Sequence, residues 1–311
     1  MTSSLDTSAL QQEVLQLRHQ LQQEQAKRQQ LESQLMLASR RDRRQEILAE
    51  LGKRGLLNHD LYGFFDDAGA LVAEALGIEF CAIWELLPNH SAFVLCAGYG
   101  WESSLIGGMT IDATARSFAG YTLAVNADRA NQDYQPVTTK DLDLETRFRG
   151  APLLYNQGIK SGANLILPTP QGIFGVLGVY SRHYRFTEED LSFLKVVSHL
   201  LAATIDRQRY ENRLQLMERA MNASPNGIVI TDALESSNPI IYVNHGFETV
   251  TGYSKEEAIA QPCHFFQKSG EDPRLQTALA FGRECQLTLA NQRPNGEIYW
   301  YQFSLAPVYD D

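Results

Sequence analysis

None of the three segments of this 311-residue sequence carries the surplus of positive charge that phosphate contacts need. Residues 1 to 50 hold 7 basic and 7 acidic side chains, residues 51 to 206 hold 11 and 17, and residues 207 to 311 hold 9 and 13, for a formal charge of −10. Phosphate contacts need clustered lysine and arginine, so nucleic acid is not an expected partner. Cysteine is scarce as well. Cys81, Cys96, Cys263 and Cys285 form no C-x-x-C pair, which points to a reducing, cytoplasmic setting and not to a disulfide framework. The opening MTSSLDTSALQQEV lacks the basic-then-apolar order of a secretory leader. The longest uncharged stretch, Ser161 to Ser181, contains Asn164, Pro168, Pro170, Gln171 and four glycines; it reads as two strands around a turn, so no membrane partner is expected. Phosphate-loop, H-E-x-x-H and G-x-S-x-G patterns are absent, as are a GG[DE]EF loop and a histidine phosphoacceptor box. The seven histidines are scattered singly, without the convergence a metal needs. The expectation is a regulatory chain, not an enzyme.

Glycine and proline are also missing from Met1 to Leu51, where eleven residues are glutamine. Leu10, Val14, Leu17, Leu21, Leu31, Leu35 and Ala38 fall on one alternating four-three spacing, with Glu24 and Arg28 as polar members of the same seam. That 3.5-residue repeat predicts a coiled-coil helix over residues 1–51, ended by Gly52 and Gly55, because only this spacing keeps one stripe facing a partner helix. An amphipathic helix follows from Leu57 to Leu76, then a hairpin of Phe80–Leu86 and Ala92–Ala97 across Asn89-His90-Ser91, then strands at Asn164–Leu167 and Ile173–Tyr180. Cys81 and Cys96 lie in these strands and read as small core residues. His199 reads as a packing residue, and Asp141, Asp143 and Glu145 as solvated loop charges.

Thr187 followed by Glu188, Glu189 and Asp190 caps a further helix, and no glycine or proline interrupts it from Tyr184 to Ser224. Its Leu200, Ala203, Arg207, Tyr210, Leu214, Met217 and Met221 again step by three and four, so residues 207–223 read as a helical linker able to zip with a second copy. After Ser224-Pro225-Asn226-Gly227 come strand-like Ile228–Thr231 and Ile240–Asn244, a helix capped by the Ser254 to Glu257 box, and strands at Gln286–Leu289 and Tyr299–Ala306. The fold class is α+β: two antiparallel-sheet domains joined by a long helix behind an N-terminal coiled coil.

GYTLAV at 120–125, DLDLETRFRGAPLL at 141–154, QGIKSG at 157–162, FGVLGVYS at 174–181 and FTEEDLSFLKVVSHLLAATIDR at 186–207 make residues 52–206 resemble a GAF domain. The resemblance implies a pocket for a small molecule. Arg149-Gly150 stands where the bilin-binding branch has its cysteine and histidine, so no covalent chromophore is expected there. NPIIYVNHGFETVTGYSKEEAIAQPCHFFQ at 238–267 makes residues 224–311 resemble a PAS domain of the flavin-binding LOV branch, ending before the family's last strand. That resemblance places Cys263 at the cysteine that forms the light-driven bond with flavin, and Gln267 and Asn291 at flavin-contacting positions. It implies FMN as the cofactor. Pro262, His264, Gln276 and Tyr301 depart from the branch, the middle two where phosphate-binding arginines are expected, which implies a weakened hold on the phosphate. Together the resemblances imply the sensory input region of a bacterial, cytoplasmic signalling protein such as a diguanylate cyclase, phosphodiesterase or histidine kinase. It would act as a parallel homodimer and pass its signal to a downstream output domain. The alternative is a ligand-free scaffold for dimerisation and protein interaction.

Overall fold

In the computed structural model, residues 3–127, 134–235, 237–263, 265 and 272–309 are described, with backbone alone at 3–22, 26, 33 and 37. They form two compact units, 1–209 and 210–311. The first begins with α1 (Ser3–Leu57), followed by α2 (Leu61–Leu76), and ends in α5 (Glu188–Ala223), which carries the chain into the second unit. The expected break at Gly52 and Gly55 does not occur, because α1 runs through both. A β-carbon at Gly55 would lie 2.6 Å from Thr204 Oγ1 and 3.4 Å from the Phe64 ring; the glycine serves close packing of α1, not its termination. Ile47 and Leu51, each 1% exposed, bury this last part of α1 in the core. Upstream, Leu31 and Leu35 of the predicted seam remain exposed.

The carbonyls that end α1 are met by side chains of α5. Arg207 donates to Gly55 O at 2.7 Å and Asn58 O at 3.2 Å, and Gln208 donates to Asn58 O at 2.8 Å, satisfying groups a helix end otherwise leaves orphaned. Further along, Arg44 pairs with Asp190. Asp190 also accepts from Thr187 N at 2.7 Å, Thr187 Oγ1 at 2.8 Å and Tyr184 Oη at 2.9 Å, while its own N–H reaches Thr187 Oγ1 at 3.3 Å. This is a reciprocal box at the start of α5, as the Thr187 reading anticipates. Burial alone would raise the Asp190 carboxyl, but the bonds from Thr187, Tyr184 and Arg44 hold it below its ordinary value.

Between the helices lies a six-stranded antiparallel sheet in the order β3-β2-β1-β6-β5-β4. Its strands are β1 (Phe80–Leu86), β2 (Ala92–Tyr99), β3 (Thr110–Asp112), β4 (Val137–Thr139), β5 (Ser161–Thr169) and β6 (Gly172–Ser181). One face, with Cys81, Ile83, Leu165 and Leu177, packs with Phe64, Val72, Leu194 and Val197 of the long helices. The other, with Trp84, Leu95, Ile166 and Tyr180, packs with Phe118 of α3 (Phe118–Asn126) and Leu153 of α4 (Pro152–Asn156). Because both faces are covered, β1 is apolar on both sides and its burial does not alternate.

In the second unit, β7 (Val229–Thr231) pairs with β8 (Ile240–Val243), and β9 (Cys285–Gln292) pairs with β10 (Ile298–Leu305). Between the hairpins come α6 (His245–Thr251), α7 (Lys255–Ala258) and α8 (Pro273–Phe281). The Ser254–Glu257 capping box is formed as the sequence predicts; α6 and α8 are not read from the sequence. Their shortness gives too few turns for a 3.6-residue pattern to stand out. The central buried cluster here is Ile240, Val243, Phe247 and Ala258; Leu275, Ala278 and Leu287 are buried as well. Tyr210, Leu214 and Met217, seam members on α5, are exposed. Among the described residues no helix is long and apolar enough to cross a membrane.

Candidate functional site

Cys263 lies in the turn that follows α7. That turn is stitched to β8 by Ile240 N–H to Gln261 O at 2.8 Å and Ala260 N–H to Ile240 O at 2.9 Å, and Cys263 N–H itself reaches Asn238 O at 3.2 Å. The backbone thus fixes the half-buried Cys263 in this turn. Phe265, two residues on, packs on that core together with Val229, Tyr253, Ile259 and Tyr301, and its ring meets Tyr253 edge-on with centroids 5.1 Å apart.

Asn291 sits on β9 directly opposite Tyr299 of β10. It is 4% exposed; its Nδ2 donates to Tyr299 Oη at 3.4 Å, and its Oδ1 accepts from Gln292 N at 2.8 Å. Tyr301, two residues along on the same inner side of β10, packs on the core. Cys263 and Asn291 therefore come from separate elements whose aromatic neighbours, Phe265 and Tyr301, meet one core. Gln267 and His264 lie outside the described residues. Gln276 is exposed on α8, and Arg274 in the same helix is held through two hydrogen bonds by Asp272, at 3.1 and 2.8 Å. An apolar core, a buried amide and a cysteine are the chemistry a flavin ring takes, while on α8 the exposed, uncharged Gln276 and the Asp272-bound Arg274 would serve its phosphate less well. Sequence reading passes over Tyr253 and Phe265, although aromatic residues flanking a capping box beside a cysteine are a usable signal.

In the first unit the sheet face toward α3 is lined by aromatics. Trp84 Nε1 donates to Tyr180 Oη at 3.1 Å, Trp101 Nε1 donates to Cys81 O at 2.8 Å, and Phe118 stacks on Phe148 with centroids 4.3 Å apart. Asn164, fully buried on β5, has its side-chain amide beside the Tyr180 hydroxyl. Burial pushes the Cys81 thiol up to about 12 and raises Cys96 further, the latter also beside Glu85. Both stay protonated, as core residues would. His199 is exposed and not a packing residue; it borders a shallow surface pocket with Lys195, Tyr134 and Pro168. The acidic loop is more than solvated charge. Arg147 forks onto Glu145 at 2.9 and 2.7 Å, lies over the Phe148 ring and donates to Thr138 O, and this guanidinium holds the Glu145 carboxyl down at about 2.

The GAF domain family matches residues 60–205 and a PAS domain family matches residues 225–311. A blue-light photoreceptor of Listeria innocua is 38% identical over 103 residues, covering 32% of this chain and 41% of its own length. Blue-light-activated histidine kinase 2 of Erythrobacter litoralis is 33% identical over 97 residues, covering 30% of this chain and 28% of its own. The chain thus spans less than half the length of these curated relatives. A GAF domain structure from a phosphoenolpyruvate-protein phosphotransferase of Coxiella burnetii aligns with TM-score 0.47 and 18% identity, over 55% of this chain and 96% of that one. The chain carries a GAF domain at residues 60–205 followed by a PAS domain at 225–311, with LOV-like blue-light photoreceptors among its relatives, and is a sensory front end of the kind found in signalling proteins.

Proposed function

We propose that the PAS domain of this sensory region takes a flavin and reports blue light. The observation that carries this reading is Cys263, a half-buried cysteine in a turn stitched by backbone bonds, two residues before Phe265, which packs on the apolar core. When bound, FMN supplies the blue absorption. The chain supplies the rest: apolar walls from Ile240, Val243 and Phe265, the Asn291 amide for the ring edge, Gln267 by its place in the motif, and the thiol. The signal leaves through α5 in a parallel homodimer, whose seam the exposed Leu31, Leu35, Tyr210, Leu214 and Met217 support. It passes to an output domain outside these residues, while this region regulates in the cytoplasm without catalysis. The GAF domain takes a small non-covalent ligand.

The test is the absorption spectrum of the chain purified with FMN in the buffers and then freed of unbound FMN by gel filtration. A structured blue band that bleaches on illumination, and no longer bleaches in Cys263→Ala, is the expected result. A band that bleaches equally in the variant excludes the role of Cys263. Absence of any band favours the second reading, a ligand-free scaffold, which is supported by the Asn291 amide already bonded to Tyr299 and by the uncharged Gln276.

A further inference from the structure

We infer that Asn244 couples the fold of the PAS domain to the last turn of α5. Its side chain is 1% exposed and uses every hydrogen-bonding position it has. Nδ2 donates to Met221 O at 2.7 Å and to Asn226 O at 3.0 Å. Oδ1 accepts from Ile228 N at 2.7 Å and from Phe247 N at 3.0 Å. A carboxamide has two donors and two acceptor sites, so this one residue is fully satisfied. Its four partners belong to three places: the end of α5, the turn into β7, and the first turn of α6. Asn244 is therefore the N-cap of α6 and, with the same side chain, a cap on the C-terminal carbonyls of α5.

A second asparagine makes the tie reciprocal. Asn222, in the last turn of α5, accepts the His245 N–H of α6 on its Oδ1 at 3.0 Å. The turn between them lies so close that a β-carbon at Gly246 would be 2.4 Å from Asn226 O and 2.7 Å from Ser224 O. Phe247, the next residue, is one of the four core side chains. Any rearrangement of that core shifts the α6 N-terminus, and the asparagine pair hands the shift to α5. This role rests on α5 being the signal route, but it does not depend on flavin or light.

Hydrogen exchange on the full chain tests it. Asn244→Asp keeps the acceptor that caps α6 and removes the donors to Met221 O of α5 and to Asn226 O of the turn that follows it. Exchange at residues 217–223 should quicken at least tenfold, while α6 is unchanged. In parallel, Ile240→Val loosens the core at a distance. It should quicken exchange at 217–223 when Asn244 is present and leave those residues unaffected when it is made in the N244D background, a non-additivity that a merely structural cap would not produce. Unchanged exchange at 217–223 in N244D, or an equal Ile240→Val effect in both backgrounds, overturns the inference. Should N244D leave the domain unfolded, Asn222→Ala takes its place: the Ile240→Val effect at 217–223 should shrink in that background, and an equal effect in both backgrounds overturns the inference.

Discussion

The GAF and PAS domains of this chain are both antiparallel sheets with helices, yet they bury very different amounts. The GAF sheet is covered on both faces, and two extensive clusters of buried side chains run from Ile47 in α1 to Ile205 in α5. The PAS domain, among the described residues, has a central cluster of four buried side chains ringed by half-buried ones, with Leu275, Ala278 and Leu287 buried beside α8 and β9. Hydrophobic stabilisation follows buried apolar area, so the two domains differ in how much a local change costs. The elements that open most easily are those with few buried contacts, and these are the ones suited to move in response to a signal. On this comparison a local change should cost the PAS domain a larger share of its stability than the GAF domain.

The largest expected effect tests this directly. Phe247→Ala removes one of four core side chains at a cost of about 3–5 kcal/mol, comparable to the whole stability of a small domain, and should unfold the PAS domain while the GAF domain melts normally. Trp84→Ala, 1% exposed in the GAF core, costs a similar amount but should leave that domain folded with a lowered Tm. Calorimetry with hydrogen exchange separates the two, and a reversed order would break the comparison. Next comes Arg44→Ala. It strips the ion partner from buried Asp190, which is expected to cost about 3 kcal/mol in urea unfolding of the GAF domain.

A smaller effect concerns assembly. Light scattering should give twice the chain mass of 34.9 kDa, and aspartate in place of both Leu17 and Leu21 should weaken the dimer about a hundredfold, ~2.7 kcal/mol. A monomer in the unmodified chain would remove the homodimer from the proposal. The smallest effect is set by pH. Glu145 is depressed from 4.5 to about 2 by Arg147, so the stability this pair contributes is complete above about pH 4.5 and declines as pH falls toward 2. Glu145→Gln should flatten that part of the GAF acid-unfolding curve, and an unaltered curve would show that the pair contributes nothing.

Much of the fold is legible in the residues because local chemistry settles it. The β1–β2 hairpin, the capped start of α5 and the Ser254–Glu257 box follow from turn and cap residues whose partners lie within a few positions. Gly55 misleads because its role is set by Thr204 and Phe64, which local spacing does not connect to it. The Glu145–Arg147 fork misleads for a similar reason: the guanidinium gains its place from Phe148 and the Thr138 carbonyl. At the candidate site the motif names Cys263 and Asn291, but the bond that engages the Asn291 amide depends on strand register with Tyr299.

The order of parts is written in the residues themselves: a heptad helix, a GAF domain, an unbroken connecting helix and a PAS domain. Periodicity, caps and motif spacing are properties of neighbouring residues, so they survive without a fold. Three features exist only in the folded chain: the end of α1 belongs to the GAF core, Arg44 and Arg207 fasten it to α5, and Asn244 spends its side chain on two helix ends at once. The bonds of Asn244 to Ile228 and of Arg207 to Gly55 join residues 16 and 152 positions apart, and a buried polar group finds such partners only where folding brings them within about 3 Å.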